Sequence, residues 1–267
     1  MKSWELAANS TVYDLAQPYF TGMPHHPSHP PFLFSLVKRH GDYVSPSGAS
    51  SAADAISLGT HGGTHIDALC HFSSGGKLHG GVDAATAHSY ECGFSAYPID
   101  EVKPVVRRGV LLDVAAQAGV EALRADFTVT PELLEEARAA AGVEIRSGDV
   151  VLLRTGWGAY WNDTPRYQNG GLASLTVHGP GPALEGARWL SDHGIFAAGA
   201  DTIAFEKVPD GDMPVHVHLL VERGIHIVEN LNLEELAQAK VNEFLFVALP
   251  LKIRGGTGAP VRPVAIV

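Results

Sequence analysis

Short apolar runs that alternate with glycine-terminated helical patterns constrain the fold of this chain most. Five runs rich in β-branched residues predict buried strands at residues 109–114, 149–154, 194–198, 224–228 and 244–249. A helical pattern ends at a glycine and a strand follows at Gly194, and the same order recurs at Gly224. This repetition is typical of crossover units, so the sequence predicts an α/β fold with a partly parallel central sheet.

Four helical patterns lie between these strands. One begins at an N-cap threonine, Thr130, continues with Pro131 at the first helical position and ends at Gly142. The other three are predicted at residues 182–193, at residues 214–223, and after a capping box formed by Asn232 and Glu235.

Length, charge and cysteine content exclude several classes of protein. A chain of 267 residues that is 45% hydrophobic can bury a sizeable core, as one large domain or two small ones. The formal charge is -10 and no lysine or arginine run is present, so we expect no nucleic-acid partner. No segment has the apolar length of a membrane span or a secretory signal. Cys70 and Cys92 are too few for a disulfide framework, which predicts free thiols and a cytoplasmic location.

The stretch HGGTHIDALCH concentrates polar side chains around two adjacent glycines. His61, His65 and Asp67 offer two imidazole nitrogens and a carboxylate, the donor set of a catalytic zinc site that keeps an open position. The glycines allow a short segment to curl until these side chains converge. A solvated, histidine-rich loop is the alternative, but three donors in seven residues favour a metal. We predict zinc, with manganese as the competitor because a carboxylate suits it.

His71 follows the three donors. An imidazole beside a metal site can take a proton from water and return it to a leaving group, and we assign His71 this role. The alternatives are a further metal ligand and a structural histidine bonded to a backbone carbonyl.

A second polar cluster lies near the end of the chain. On the helix predicted at residues 214–223, His216 shares a stripe with apolar residues and faces inward, whereas His218 points elsewhere. Glu229 follows an apolar run, where an unpaired carboxylate is costly. A metal, or a buried salt bridge with Arg223 or Arg254, would satisfy it.

HGGTHIDALCH resembles the HxGTHxDxPxH signature of the cyclase family of metal-dependent hydrolases, which includes kynurenine formamidases and isatin hydrolases. Leu69 replaces the signature proline. The likeness extends to TGMPHHPSHPPF, GVLLDV, GDVVLLRTGW, GADT and PVHVHLLVERGIHIVENL. It implies one domain over residues 1–267 with a three-layer β/β/α arrangement of the swivelling-domain type. It also implies a homo-oligomer, which we expect to be a dimer or a tetramer.

The resemblance also implies roles for individual residues. His71 becomes the proton-transfer residue, and Asp67 bridges where two ions bind. The implied metal ligands are His61, His65, Asp67, His216 and Glu229. The spacing from His216 to Glu229 is one residue longer than in the kynurenine formamidases, so one or two ions per chain both stay open.

The implied reaction is hydrolysis of an amide-type C–N bond, in a cyclic amide, an imide or an N-formyl aryl amine, by metal-activated water. Lactone hydrolysis, a lyase or dehydratase reaction at the same metal, and a non-catalytic metal-binding protein are the alternatives. We predict an aromatic or cyclic small-molecule substrate that Phe32 and Trp157 contact. Leu69 and the absence of an acidic residue after the proline in HHPSHPPF argue against kynurenine formamidase itself. The histidines of that proline-rich loop are interpreted as solvated: His25, His26 and His29.

Overall fold

One nine-stranded mixed sheet organises the computed structural model, which describes residues 9–172 and 176–267. In chain order the strands are β1 (Val12–Asp14), β2 (Leu33–Lys38), β3 (Ala53–Ser57), β4 (His65–Asp67), β5 (His88–Ser89), β6 (Gly93–Phe94), β7 (Val105–Asp113), β8 (Thr128–Val129), β9 (Val150–Arg154), β10 (Gly181–Pro182), β11 (Ala197–Ala200), β12 (His226–Glu229), β13 (Glu243–Ala248), β14 (Gly258–Pro260) and β15 (Val264–Ile266). The α-helices are α1 (Val114–Gln117), α2 (Pro131–Ala141), α3 (Thr164–Asn169), α4 (Leu184–Asp192), α5 (Pro214–His216) and α6 (Glu234–Gln238).

The strand order of the large sheet is β1-β15-β13-β7-β9-β11-β12-β4-β14. Strands β7, β9, β11 and β12 are parallel to their neighbours within this group, and β13 and β4 flank them in antiparallel orientation. The predicted α/β class and the partly parallel central sheet are therefore confirmed. That the whole chain is one domain stays a prediction, which the pairing of β1 with β15 supports because it joins distant parts of the chain.

Each face of the sheet packs against its own core. Along β7, Val110 and Leu112 face a cluster formed with the helices, whereas Leu111 faces the opposite cluster, and all three are fully buried. This alternation follows from the two-residue period of a strand. The cluster opposite the helices includes side chains from the loop-rich first hundred residues, such as Leu78 and Ile99. The loops of that region thus cover one face of the sheet.

The predicted helix boundaries are correct where local capping decides them. The Thr130 hydroxyl accepts a hydrogen bond from the Leu133 backbone N–H, and Gly142 ends α2 in the left-handed conformation. The predicted capping box at Asn232 is wrong: α6 is preceded by Leu233 and has no side-chain cap. The backbone N–H of Asn232 instead donates to the Leu15 carbonyl, so a tertiary contact replaces the local one.

The helix predicted at residues 214–223 divides after one turn. Helix α5 ends at His216, and residues Val217–Arg223 form a π-helix. His216 belongs to a donor group, whereas His218 points away from both groups: its ring is buried and contacts Ser191 and Glu222.

Both cysteines are free thiols, as expected, with Cys70 buried and Cys92 exposed. Among the described residues, no helix combines the length and the apolar character that crossing a membrane would require.

Candidate metal centre

Two neighbouring antiparallel strands carry the donors that the sequence singled out. In the register of β4 against β12, His65 lies opposite Glu229. Residues directly opposite each other in an antiparallel pair project from the same face of the sheet. The two side chains therefore meet, although they are 164 positions apart in the sequence. His61 joins them from the loop before β4.

The bend between His61 and β4 depends on Gly63 and Thr64. Gly63 has a φ of 65°, and a β-carbon there would lie 2.4 Å from the Tyr19 ring. The Thr64 hydroxyl accepts from the Gln17 backbone N–H at 2.8 Å and donates to the Asn230 carbonyl at 2.6 Å. Glycine is required at position 63 both for its backbone angle and for this close approach.

Gly63→Ala is expected to destabilise the protein more than a strained backbone angle alone would. Gly75 offers a matched control, because its φ is 55° and nothing lies within 4 Å of the position of a β-carbon. We expect Gly75→Ala to lower the free energy of unfolding by about 1 kcal/mol, and Gly63→Ala by about 1–3 kcal/mol more, because of the clash. Chemical denaturation measures both values. Equal losses for the two variants would contradict the contact with Tyr19.

The structure brings all five predicted ligands together in two groups that share Asp67. The first group is His61, His65 and Asp67, and the second is Asp67, His216 and Glu229. One donor atom per residue in each group lies within 4.8 Å of the others. A shared carboxylate is the arrangement that bridging of two ions requires.

Three distances between donors fit the ligands of an ion, whereas His61 Nδ1 and Asp67 Oδ1, 2.7 Å apart, are at hydrogen-bond distance. His65 Nε2 lies 3.5 Å from Asp67 Oδ1 and 3.4 Å from Glu229 Oε2, and His216 Nε2 lies 3.2 Å from Glu229 Oε1. Two ligands of a tetrahedral zinc with bonds of 2.0–2.1 Å are about 3.3 Å apart. His65 Nε2 and Asp67 Oδ2 are also buried without a hydrogen-bond partner in the described chain. Buried polar atoms of this kind need a partner, and a cation supplies it.

Charge balance leads to the same conclusion. Asp67 and Glu229 are buried, and within residues 9–172 and 176–267 neither forms a salt bridge with lysine or arginine. The alternative partner Arg223 pairs with Asp192 instead. Burial would raise the pKa of the Asp67 carboxyl, but His71, His61 and His65 outweigh it and the net shift is downward. The site thus holds carboxylates in their charged form, ready for a cation.

Backbone and carboxylate contacts orient the imidazoles. His65 Nδ1 donates to the Gly63 carbonyl at 2.8 Å, which leaves its Nε2 as a lone-pair donor. His216 Nδ1 lies 2.6 Å from Glu206 Oε1, an oxygen that also accepts the His216 backbone N–H at 2.9 Å. Burial lowers the pKa of His216, but Glu206 and Glu229 outweigh it and raise that pKa to about 10. Sequence reasoning missed Glu206, because no motif or spacing marks it.

His61 uses both ring nitrogens. Its Nδ1 lies 2.7 Å from Asp67 Oδ1, and its Nε2 lies 2.8 Å from the Thr257 hydroxyl. Gly258 allows this packing, since a β-carbon there would approach the His61 ring to 2.7 Å. The Thr257 contact fixes the ring with Nδ1 towards the other donors.

His71 is free to act on a bound molecule. Its ring stacks on His61 with centroids 3.7 Å apart, and neither of its ring nitrogens bonds to a residue that the structure describes. The alternative of a histidine bonded to a backbone carbonyl is therefore not realised in this part of the chain. Burial lowers the pKa of His71 to about 3, so the imidazole is neutral.

A cavity of 380 Å³ opens onto His71 and both donor groups. His26 and His29 of the proline-rich loop line it, and both are half-buried, so their rings border the cavity while remaining partly solvated. His29 stacks on His61 with centroids 5.1 Å apart, and burial lowers its pKa to about 4. The apolar part of the wall comes from side chains that the sequence did not single out: Phe72, Ile203, Ala204 and Met213.

The structure does not bring Phe32 and Trp157 to this cavity. Both are buried in a separate hydrophobic cluster, where Phe32 packs edge-on against Tyr19 and the Trp157 Nε1 donates to the Leu123 carbonyl. Their aromatic surface stabilises that cluster, and the cavity wall has Phe72 instead.

Comparison with known sequences identifies the family of this protein. The sequence profile described as "Putative cyclase" matches residues 13–207, most of the chain. The protein belongs to the cyclase family. Among its relatives, isatin hydrolase of Roseibium aggregatum is 27% identical over 212 residues, which cover 79% of this chain and 73% of that protein. Kynurenine formamidase of Bacillus cereus is 26% identical over 251 residues, which cover 94% of this chain and 95% of that protein.

Solved structures of the cyclase family share the fold. A structure described as a novel cyclase matches with a TM-score of 0.88 and 31% identity, covering 99% of this chain and 89% of the other. Isatin hydrolase A from Ralstonia solanacearum matches with a TM-score of 0.75 and 25% identity, covering 97% and 93%. The cyclase-like fold expected from the signature is thus confirmed.

Proposed function

We propose that this cyclase-family protein is a metal-dependent hydrolase that cleaves an amide-type C–N bond. Two observations carry the proposal. Two buried donor groups share Asp67, and the His71 ring, whose nitrogens bond to no described residue, lies beside them in the same cavity. The relatives named isatin hydrolase and kynurenine formamidase support the bond type.

The metal ligands in this proposal are His61, His65, Asp67, His216 and Glu229. The first group suits zinc, and the carboxylates of the second group keep manganese as an alternative. Asp67 would take part in holding two ions if both groups were filled, and the chain would hold a single ion if only one were. When bound, such an ion lowers the pKa of a water molecule and polarises the substrate carbonyl.

His71 moves the proton in this scheme. Its neutral ring accepts a proton from the attacking water and returns it to the nitrogen as the C–N bond breaks. The water oxygen stays on the acyl carbon, so an amide gives a carboxylate and an amine, and an imide gives a carboxylate and an amide. Glu206 acts through His216, whose ring it holds in place.

The proposed substrate is a small aromatic or cyclic amide or imide. The cavity of 380 Å³ holds a molecule of one or two rings, with Phe72 and Met213 as apolar wall and His26 and His29 as polar wall. The ring of Phe72 lies 4.9 Å from that of His216, which places apolar surface next to the donors. A flat acyl compound can stack there with its carbonyl towards Asp67.

A substrate screen in isotopically labelled water tests the proposal. The purified protein, with its metal content measured, is given formanilides, isatins, cyclic imides and lactones, with and without chelator. We expect chelator-sensitive turnover of an amide or imide with one solvent oxygen in the product acid. Turnover of lactones alone would show that the protein cleaves an ester bond in place of a C–N bond. Product without solvent oxygen would indicate a lyase or dehydratase. Metal binding without any turnover would leave a non-catalytic protein.

We further propose a cytoplasmic homo-oligomer in which a second copy covers the β2–β3 hairpin. A two-stranded hairpin is not stable alone in water. This one pairs from Leu33 opposite Ser57 to Lys38 opposite Ala53, with a register shift between Leu36 and Lys38, and both strands are exposed almost throughout. The charges of the basic and acidic residues in the hairpin cancel, whereas the whole chain has a formal charge of -10. Electrostatic repulsion between two copies is therefore smallest at the hairpin. The exposed apolar side chains are Leu33, Phe34, Leu36, Val37 and Ile56.

Placing a charge on the hairpin is expected to dissociate the oligomer. Phe34→Glu and Val37→Glu would each bury a carboxylate in the contact, which is costly without a partner. Sedimentation equilibrium should give a dimer or tetramer for the wild type and a monomer for these variants. Val120→Glu is the control, since Val120 is exposed to 46% elsewhere on the surface. A wild-type monomer, or variants that stay associated, would contradict this contact.

A further inference from the structure

A second cavity, of 340 Å³, lies at the other end of β12 from the metal centre. His226 begins this strand and lines the cavity, whereas Glu229 ends the strand and lines the cavity of the metal centre. Three residues of a strand span about 10 Å. The two cavities are therefore close neighbours with separate walls, and the proposed hydrolysis uses only one of them.

The deepest polar group of this second cavity is the His226 ring. His226 is 8% exposed, and its Nδ1 lies 2.8 Å from the backbone carbonyl of Asp67. A carbonyl oxygen only accepts, so Nδ1 carries the hydrogen and Nε2 presents a lone pair. No residue within 9–172 or 176–267 bonds to Nε2. The cavity thus has a hydrogen-bond acceptor, on a largely buried ring, that no described residue uses.

The walls around this acceptor are apolar and flat. Phe196 packs against the His226 ring with centroids 5.3 Å apart. Leu69, Tyr97 and Val102 complete the wall. Apolar and aromatic surfaces with one or two placed polar groups are typical of small-molecule sites. A single ring can lie against Leu69, Tyr97 and Val102 and direct a donor to His226.

The rim of the cavity is cationic. Lys103 and Arg107 lie there, and in the part of the chain that the structure describes neither forms a salt bridge. The Arg107 guanidinium stacks over the Phe196 ring, 4.0 Å from its centroid, and its Nη1 donates to the Gly148 carbonyl at 3.2 Å. Its Nε and Nη2 bond to no residue that the structure describes and stand free for a ligand. Glu101 is the acidic residue of the rim and leaves it with a net charge of one positive unit. A planar guanidinium binds a carboxylate with two parallel hydrogen bonds.

We infer that this second cavity binds a small aromatic carboxylate that also carries an N–H or O–H donor. The ring lies against Leu69, Tyr97 and Val102, the donor bonds to His226 Nε2, and the carboxylate bonds to Arg107 at the rim. The site is separate from the metal centre and holds whether or not the proposed hydrolysis is correct.

Calorimetric titration with 3- and 4-aminobenzoate tests this site in the full-length protein as purified. Benzoate lacks the donor and aniline lacks the carboxylate. We expect one aminobenzoate per chain in addition to any bound at the metal centre, with affinity about tenfold above that of either fragment. This binding should persist after treatment with chelator. Binding that chelator abolishes, or no binding at all, would overturn the inference.

Two variants locate the binding. Arg107→Gln removes the rim cation and is expected to weaken aminobenzoate about tenfold, whereas Val102→Trp fills the cavity and is expected to abolish binding. Arg124→Gln is the matched control, since Arg124 is an exposed arginine paired with Asp126 elsewhere. Thermal unfolding checks that Val102→Trp is folded. If Val102→Trp does not fold, the result for Arg107→Gln, a substitution at an exposed position, decides whether the site exists. Unchanged aminobenzoate affinity in Arg107→Gln would contradict the proposed site.

Discussion

His71→Ala is expected to lower kcat about 10²- to 10⁴-fold while leaving the metal content at the wild-type level. The reason is the division of labour in the cavity. His71 belongs to neither donor group, yet its ring lies against that of the ligand His61. Removal of the ring takes away the proton acceptor and leaves every ligand in place. Steady-state kinetics on the substrate found by the screen, with metal analysis of the same sample, measures both quantities.

His88→Ala is the matched control for this experiment. His88 is an exposed histidine whose Nδ1 contacts the Ala84 carbonyl, outside either cavity described above. We expect it to keep wild-type kcat. Loss of metal in His71→Ala would assign His71 to the ligands, and unchanged kcat would remove it from the reaction.

Asp67→Asn is expected to have the largest effect on metal binding, because Asp67 is the one residue that both donor groups contain. Loss of a group that merely orients a ligand weakens metal binding about 10- to 100-fold, so loss of a shared ligand should weaken it more than about 100-fold. A hundredfold loss of affinity removes about 3 kcal/mol of the stabilisation that the ion provides at a fixed free concentration. Turnover should fall with the metal content.

Metal analysis and thermal unfolding with and without chelator check this prediction. The difference in stability between the two conditions should be large for the wild type and nearly absent for Asp67→Asn. Asp83→Asn is the control, since Asp83 is an exposed carboxylate paired with Lys77 at 3.1 Å. A variant that keeps the full metal content would refute the shared role of Asp67.

Sequence patterns predicted those parts of the structure that depend on local chemistry. Thr130 and Gly142 delimit α2 because a hydroxyl cap and a left-handed glycine act within one turn. The block from His61 to Asp67 was predictable as one donor group, since its side chains come from a single bend of chain. His216 and Glu229 were recognisable only as candidates, because the pairing of distant strands brings Glu229 to Asp67 and tertiary packing of α5 brings His216 there.

The remaining features depend on tertiary contacts that carry no local signal. Glu206 holds His216 through a hydrogen bond across ten residues, and no periodicity marks such a pair. Trp157 has the composition of a substrate contact, yet its indole N–H is satisfied by the Leu123 carbonyl in a core. The same chain position can be wall or core, and only packing against distant segments decides which.

The antiparallel register that sets His65 opposite Glu229 also has a consequence for biosynthesis. A ribosome makes the chain from its N-terminus, so the segment with His61 and His65 emerges long before residue 229 is polymerised. An ion captured by a nascent chain can meet only the first three donors, and the remaining two arrive after β12 has docked beside β4. We therefore expect both donor groups to bind ions only late in folding. The metal affinity of the folded protein should then depend on the pairing of β4 with β12.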